Sequence, residues 1–347
     1  DPLISTVTGK SKNPNPKLPE MPGKVRLMRW TKGGFMQVGG DLGTASAGQP
    51  AIAGGSILVP VTAKNSLAIV DAKTGVARQA SVGIAPAAVV AHGNISYVAN
   101  WGGEKAAGTQ ASAPTGLDPM ADLVRIDARG VAEPGSVSVV DLAKGTTVAT
   151  IGVGRHPTAL ALDAAAGRLY VANTNDDSIS VIDTVTRAVI STITLQPFSS
   201  STYGVAPTGI TIDRARSRLL IACGGINAIA VYDLEAGRIS GLIPTGWYPV
   251  SVAIDASGKR MTVATLLGVG SGQKEGPTKR FVHANRGTAH VITMPDAPQL
   301  ASYTAAVAEN NRVSFASSAP LKADPAARPT AVPLRAGEPS LIEHVVF

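Results

Sequence analysis

Residues 154–193 read GRHPTALALDAAAGRLYVANTNDDSISVIDTVTRAVISTI, and they spell out one complete structural unit. After the turn Gly154-Arg155-His156-Pro157, residues 158–162 alternate as a half-buried strand. Residues 163–167 form a turn, and 168–172 a second strand. A polar loop at 173–177 precedes a third strand over 178–183, and a turn near 184–187 leads to a fourth over 188–193. Four strands joined by tight connections predict one antiparallel sheet.

The unit recurs. Gly83-Ile84-Ala85-Pro86, Gly204-Val205-Ala206-Pro207 and Gly246-Trp247-Tyr248-Pro249 repeat the opening turn. Residues 95–100 and 136–141 match the second and third strands of the preceding unit, and 218–223 and 228–233 those of the following one. Self-similarity at about 40 residues, with short strands inside each copy, predicts an all-β chain: a β-propeller of four-stranded antiparallel blades. Five blades are readable, the first over 57–82 and the last from 250 to near 307. Residues 25–30 and 35–38 flank a Lys32-Gly33-Gly34 turn and form a candidate partial blade within a segment 1–46. The propeller proper spans 47–307, with loop insertions at 101–135 and 266–287, and the space left allows roughly six blades.

Strand parity assigns the loops. First-to-second and third-to-fourth turns share one face of such a ring. The second-to-third loops, both insertions and the Gly-x-x-Pro links share the other, where binding is expected. In the links, Gly permits the turn, and Pro fixes the chain where no N–H donor is needed. Asp71, Asp141, Asp183 and Asp233 all close a third strand, where each carboxylate can accept turn N–H groups.

Candidate ligand- or partner-binding residues on the loop-rich face are Asn100, Trp101, Arg155, His156, Asn173, Trp247 and Tyr248. Arg155 and His156 could meet an anionic small ligand, and the aromatics form a candidate patch in a chain with 4% aromatic residues. His283 and His290 flank the second insertion, near Lys274, Lys279, Arg280 and Arg286; such a basic loop could guide phosphate-bearing substrates. No catalytic residue is assigned. The five histidines lack the close helical spacing of common metal motifs, and neither a phosphate loop nor a Gly-x-Ser-x-Gly elbow is present, so no metal or cofactor is expected in this chain.

The net charge of +7 comes from singly scattered basic residues without interleaved aromatics, which argues against nucleic acid. The single cysteine, Cys223, excludes an internal disulfide and reads as a buried filler. No apolar run reaches membrane-spanning length. Residues 308–347 read as a Pro/Ala-rich extended linker followed by the start of a further domain at 341–347.

Tyr97-Val98-Ala99-Asn100, Tyr170-Val171-Ala172-Asn173 and Ser136-Val137-Ser138-Val139-Val140-Asp141 resemble the YVTN-type bacterial β-propellers over roughly residues 47–265. The resemblance implies seven blades as the favoured ring size. Residues 242–249, 268–272, 295–300 and 337–347 are similar to a subfamily in which an exported propeller precedes an alkaline-phosphatase-like phosphoesterase domain. That likeness implies a periplasmic or extracellular location, and a divalent metal only in the domain after the join. It also implies a non-catalytic propeller module that binds or scaffolds, its loop-rich face docking the phosphoesterase domain or another protein. A lactonase-like propeller hydrolase using the face around Arg155, His156 and Trp247 is the alternative enzyme reading. A cell-surface protein-interaction ring is the third.

Overall fold

The structure, a computed structural model, describes residues 3–8, 24–44, 46–116, 121–198, 204–268 and 286–313. Six antiparallel sheets succeed one another along these residues. The first contains β1 (Leu3–Thr8), β2 (Lys24–Thr31), β3 (Gly34–Gln37) and β4 (Gly43–Thr44). The second contains β5 (Ala51–Ala53), β6 (Ser56–Val61), β7 (Ser66–Asp71) and β8 (Ala77–Ser81). The third is β9 (Pro86–His92), β10 (Ile95–Asn100), β13 (Ser136–Asp141) and β14 (Thr146–Gly152). A small hairpin, β11 (Ser112–Pro114) and β12 (Leu123–Arg125), occupies the insertion between β10 and β13.

The fourth sheet is β15 (Pro157–Asp163), β16 (Arg168–Asn173), β17 (Ser178–Asp183) and β18 (Ala188–Thr194). The fifth is β19 (Pro207–Asp213), β20 (Arg218–Cys223), β21 (Ala228–Asp233) and β22 (Arg238–Pro244). The sixth has three strands, β23 (Trp247–Ile254), β24 (Arg260–Gly268) and β25 (Thr288–Thr293). The first strands β9, β15, β19 and β23 pack against one another in succession and so lie innermost.

The middle strands explain the near-continuous apolar runs. In β16, Leu169, Tyr170, Val171 and Ala172 are all buried, although alternate residues point to opposite faces. Each face meets a neighbouring sheet: Leu169 and Val171 pack with Tyr97 and Val139, while Tyr170 and Ala172 pack with Leu219 and Ile221. Two-sided burial removes the alternation that a one-sided sheet would show.

The turns follow the reading of the four aspartates. Oδ1 of Asp71 accepts from the N–H groups of Lys73 and Thr74 at 3.0 and 2.8 Å, and Asp233 accepts from Glu235 and Ala236 at 3.0 and 2.8 Å. Asp141 and Asp183 repeat the pattern. The backbone N–H three residues on is the first cause holding each carboxyl below its usual 3.8. The link prolines sit where the pairing of first and second strands slips, between Pro157 and Ala159, Pro207 and Gly209, and Pro249 and Ser251. A bulge tolerates a residue without an N–H.

One element departs from the strand-only reading. Residues expected to finish the last blade form α1 (Ala297–Asn310), which follows Met294. Asp296 caps it by accepting from the Gln299 N–H at 2.9 Å, with Pro298 in the first turn. The helix lies on β22, where Leu300 joins Ile243, Val252 and Met261, and Val307 joins Leu195, Phe198 and Leu242. A Cβ at Gly241 would come within 2.5 Å of the Leu300 side chain, so the helix docks where the strand carries no side chain. Among the described residues no helix is long and apolar enough to cross a membrane.

Among the described residues, the first and sixth sheets each have one face on which no other sheet packs. In the first, Val25 and Leu27 pack on the second sheet. Lys24 and Arg26 point the other way and pair with Asp41 at 2.7 and 2.8 Å, near the edge-on ring pair Trp30–Phe35. In the sixth, Met261 and Val263 pack on the fifth sheet, while Thr262, Ala264, Leu266 and Val291 face outward, with Leu266 and Val291 exposed by 57% and 69%. Of the extended linker and domain start expected at 308–347, residues 308–310 instead complete α1, and 314–347, most of the second insertion (269–285), and His283, Lys274, Lys279, Arg280 and His344 lie outside the described residues.

Candidate functional site

Each Gly-x-x-Pro link has the same backbone geometry, and the unusual residue is not the glycine. The third position is left-handed every time: Ala85 at φ 54°, His156 at 55°, Ala206 at 51° and Tyr248 at 55°. The glycine serves a different need. A Cβ at Gly83 would fall 2.7 Å from the Asn100 amide, and one at Gly154 2.6 Å from Asn173. At Gly83 and Gly154 glycine is therefore required for close approach to a buried asparagine, and in none of the four links does the glycine itself take a positive φ, which corrects the expectation that it is there to permit the turn.

Hydrogen bonds pin the third residue from two sides. Its carbonyl accepts from the backbone just past the second strand: Trp101 N–H to Ala85 at 3.2 Å, Thr174 N–H to His156 at 3.0 Å, and Gly224 N–H to Ala206 at 2.8 Å. Its own N–H donates to a side chain of the preceding sheet: Ala85 to Asn65 at 2.9 Å, Ala206 to Asp177 at 2.7 Å, and Tyr248 to Asn227 at 2.8 Å. Asn65, Asp177 and Asn227 are themselves left-handed residues closing single 3-10 turns. These bonds join link and second-to-third loop on one face, as strand parity predicts.

At His156 the latch differs, because the third sheet carries the long insertion at that place. There the His156 ring stacks on Trp101, the first inserted residue, with centroids 4.7 Å apart and planes tilted by 32°. Burial lowers the His156 pKa below its usual 6.5. The insertion folds back over the same face: Asn65 hydrogen-bonds Asp122, which also pairs with Lys105 at 2.6 Å.

The innermost strands converge on a cavity of about 600 Å³. Ala87, Thr158, Thr208 and Val250 line it from four successive sheets, together with Gln49 just before β5, His156, Thr174 and Tyr248. A groove of about 720 Å³ lies on the rim between β18 and β22, but it gathers none of the residues singled out in the sequence. The axial cavity is the candidate site because equivalent positions of the repeat meet there.

The seven sequence candidates divide. His156 and Tyr248 line the cavity, and Trp101 backs it through the stack. Arg155 turns to Asp176, which accepts from its backbone N–H at 2.6 Å and its guanidinium at 3.3 Å. Asn100 and Asn173 lie inside their sheets, away from the face, with amide groups donating to Ser136 and Ser138 and to Ser178 and Ser180. Cys223 ends the equivalent strand, fully buried, with its thiol pushed up to about 12. Trp247 stands on the rim, 53% exposed. His290 hydrogen-bonds the Thr288 hydroxyl at 2.7 Å on β25, apart from the axis. Sequence reasoning passed over Thr158, Thr174 and Thr208, although the repeated Pro-Thr pair at 157–158 and 207–208 marks two of them. Among the described residues no three His, Cys, Asp or Glu side chains gather as a metal site.

No family model and no curated protein matches this chain. Solved structures do. A chain of the mitotic checkpoint complex is 10% identical with a TM-score of 0.50, the match covering 76% of this chain and 74% of that one. Hydrazine synthase from Kuenenia stuttgartiensis is 21% identical with a TM-score of 0.46; 61% of this chain is covered and about half, 52%, of that chain. The repeated four-stranded sheets and the likeness to the chain of the mitotic checkpoint complex show the fold, a β-propeller.

Proposed function

We propose that this chain is a non-catalytic propeller module that binds a small ligand or a docking segment at the axial mouth of its link face. The observation that carries this reading is the cavity where four sheets present equivalent residues, walled by a half-buried neutral imidazole, an aromatic ring and threonine hydroxyls. A few placed polar groups within a concave wall are the usual form of a binding site. The likeness of residues 337–347 to a propeller–phosphoesterase join extends the proposal to an exported two-domain parent, whose catalytic groups and divalent metal belong to the other domain.

Two measurements test it. A thermal-shift screen of small metabolites should yield ligands whose stabilisation disappears in His156→Ala and Tyr248→Ala. Ligands indifferent to both substitutions would remove the axial mouth from the proposal. Hydrolysis of p-nitrophenyl phosphate and of simple lactones, with and without added divalent cation, should stay at background. Turnover that His156→Ala abolishes would favour the hydrolase reading instead.

A further inference from the structure

We infer that the axial mouth selects a ligand that enters as a hydrogen-bond donor, a primary ammonium group. The inference rests on the binding role proposed above and names the ligand class for that site.

A backbone carbonyl can only accept, so a hydroxyl facing one must donate. Thr174 Oγ1 lies 2.7 Å from the Pro207 carbonyl and gives it its proton. Thr158 Oγ1 lies 2.6 Å from Thr174 Oγ1, whose proton is already placed, so Thr158 donates to Thr174. Thr208 Oγ1 has two carbonyls within reach, Pro249 at 2.5 Å and Ala222 at 3.1 Å, and donates there. The three threonine hydroxyls that line the cavity have spent their protons on the framework. What these threonines keep for a ligand is lone pairs, while the Gln49 amide and the Tyr248 hydroxyl of the same wall can each donate or accept.

The rest of the wall agrees. Among the described residues nothing hydrogen-bonds the His156 ring, and a neutral imidazole offers one acceptor nitrogen. Among the described residues no charged side chain lines the cavity, and the Arg155 guanidinium is drawn to Asp176. An anion would find no cation and few donors there. An ammonium would find several acceptors, with the Tyr248 ring beside them and Trp101 behind the imidazole. The partly open mouth lets it keep part of its hydration, which limits the cost of carrying charge into the site.

The test titrates the full chain with methylammonium, tetramethylammonium, acetate and inorganic phosphate at constant ionic strength. The readout is the His156 imidazole resonances, assigned with His156→Gln. Methylammonium should shift them saturably, and tetramethylammonium, which has no N–H, should bind more weakly. Thr208→Val should weaken methylammonium by about fivefold, the worth of one hydrogen bond, while Thr208→Ser keeps the hydroxyl and the affinity. If Thr208→Val does not fold, Thr158→Val makes the same comparison. Equal binding of both cations would overturn the donor requirement. A saturable response to acetate or phosphate alone would overturn the ligand class yet leave the axial site standing. Silence from all four probes would overturn both.

Discussion

His156 combines three facts in one side chain: a left-handed backbone, a ring stacked on Trp101, and a place on the cavity wall. A non-glycine residue at positive φ persists only where its surroundings hold it there, and the bonds around each link supply that hold. Ala85 and Ala206 occupy the same conformation but bring only a methyl group. The sequence shows which residues stand in these links; that the third position is the one aimed at the axis follows only from the backbone. The same limit misplaced Asn100 and Asn173, which occur as a repeated polar residue after an apolar strand and turn out to tie the sheet to its own serines. Burial lowers the His156 pKa, so the folded chain keeps this ring neutral at a pH where the unfolded chain already binds a proton. The associated stability is complete above the usual value of 6.5 and is lost as pH falls toward the folded value. Urea unfolding of His156→Gln between about pH 5 and 7 should therefore show a flatter dependence than the parent chain. The four turn aspartates act in the same direction lower down, their contribution fading as pH falls below 3.8.

Strands and turns were legible for a physical reason: in the second to fifth sheets burial on both faces makes the second and third strands apolar runs, and an aspartate closes the third. The helix α1 was not, because its opening residues, Pro295-Asp296-Ala297-Pro298, also read as a family motif. Their cap chemistry and the alanine-rich run after them were nonetheless visible. The helix does specific work for the fifth sheet, whose outermost strand β22 it covers, whereas the outermost β18 of the fourth sheet is largely exposed. Leu300 is the anchor, 9% exposed between the fifth and sixth sheets. Leu300→Ala should cost about 2–5 kcal/mol in equilibrium unfolding. It should also raise hydrogen exchange in β22 selectively, since the helix would no longer shield that strand. Unchanged exchange in β22 would show that the helix adds area without holding the edge.

Among the described residues six sheets pack in succession, and the first and sixth each have one face on which no described sheet packs, an array governed by nearest neighbours. In an array of nearest neighbours a weakness in one shared core is felt chiefly by the sheets beside it. Leu27→Ala, in the core shared by the first two sheets, should accordingly raise hydrogen exchange across residues 24–81 while leaving the fifth sheet near its original protection. Uniform loss across all six sheets would mean that the ends are coupled. The terminal faces also differ in kind. One bears Lys24, Arg26 and Asp41 beside a Trp–Phe pair; the other shows threonine, alanine, leucine and valine. Any meeting of two molecules through these unlike ends would be head-to-tail, and each addition would present a fresh copy of the same unmatched surfaces. Growth by that route has a direction and no natural stopping number.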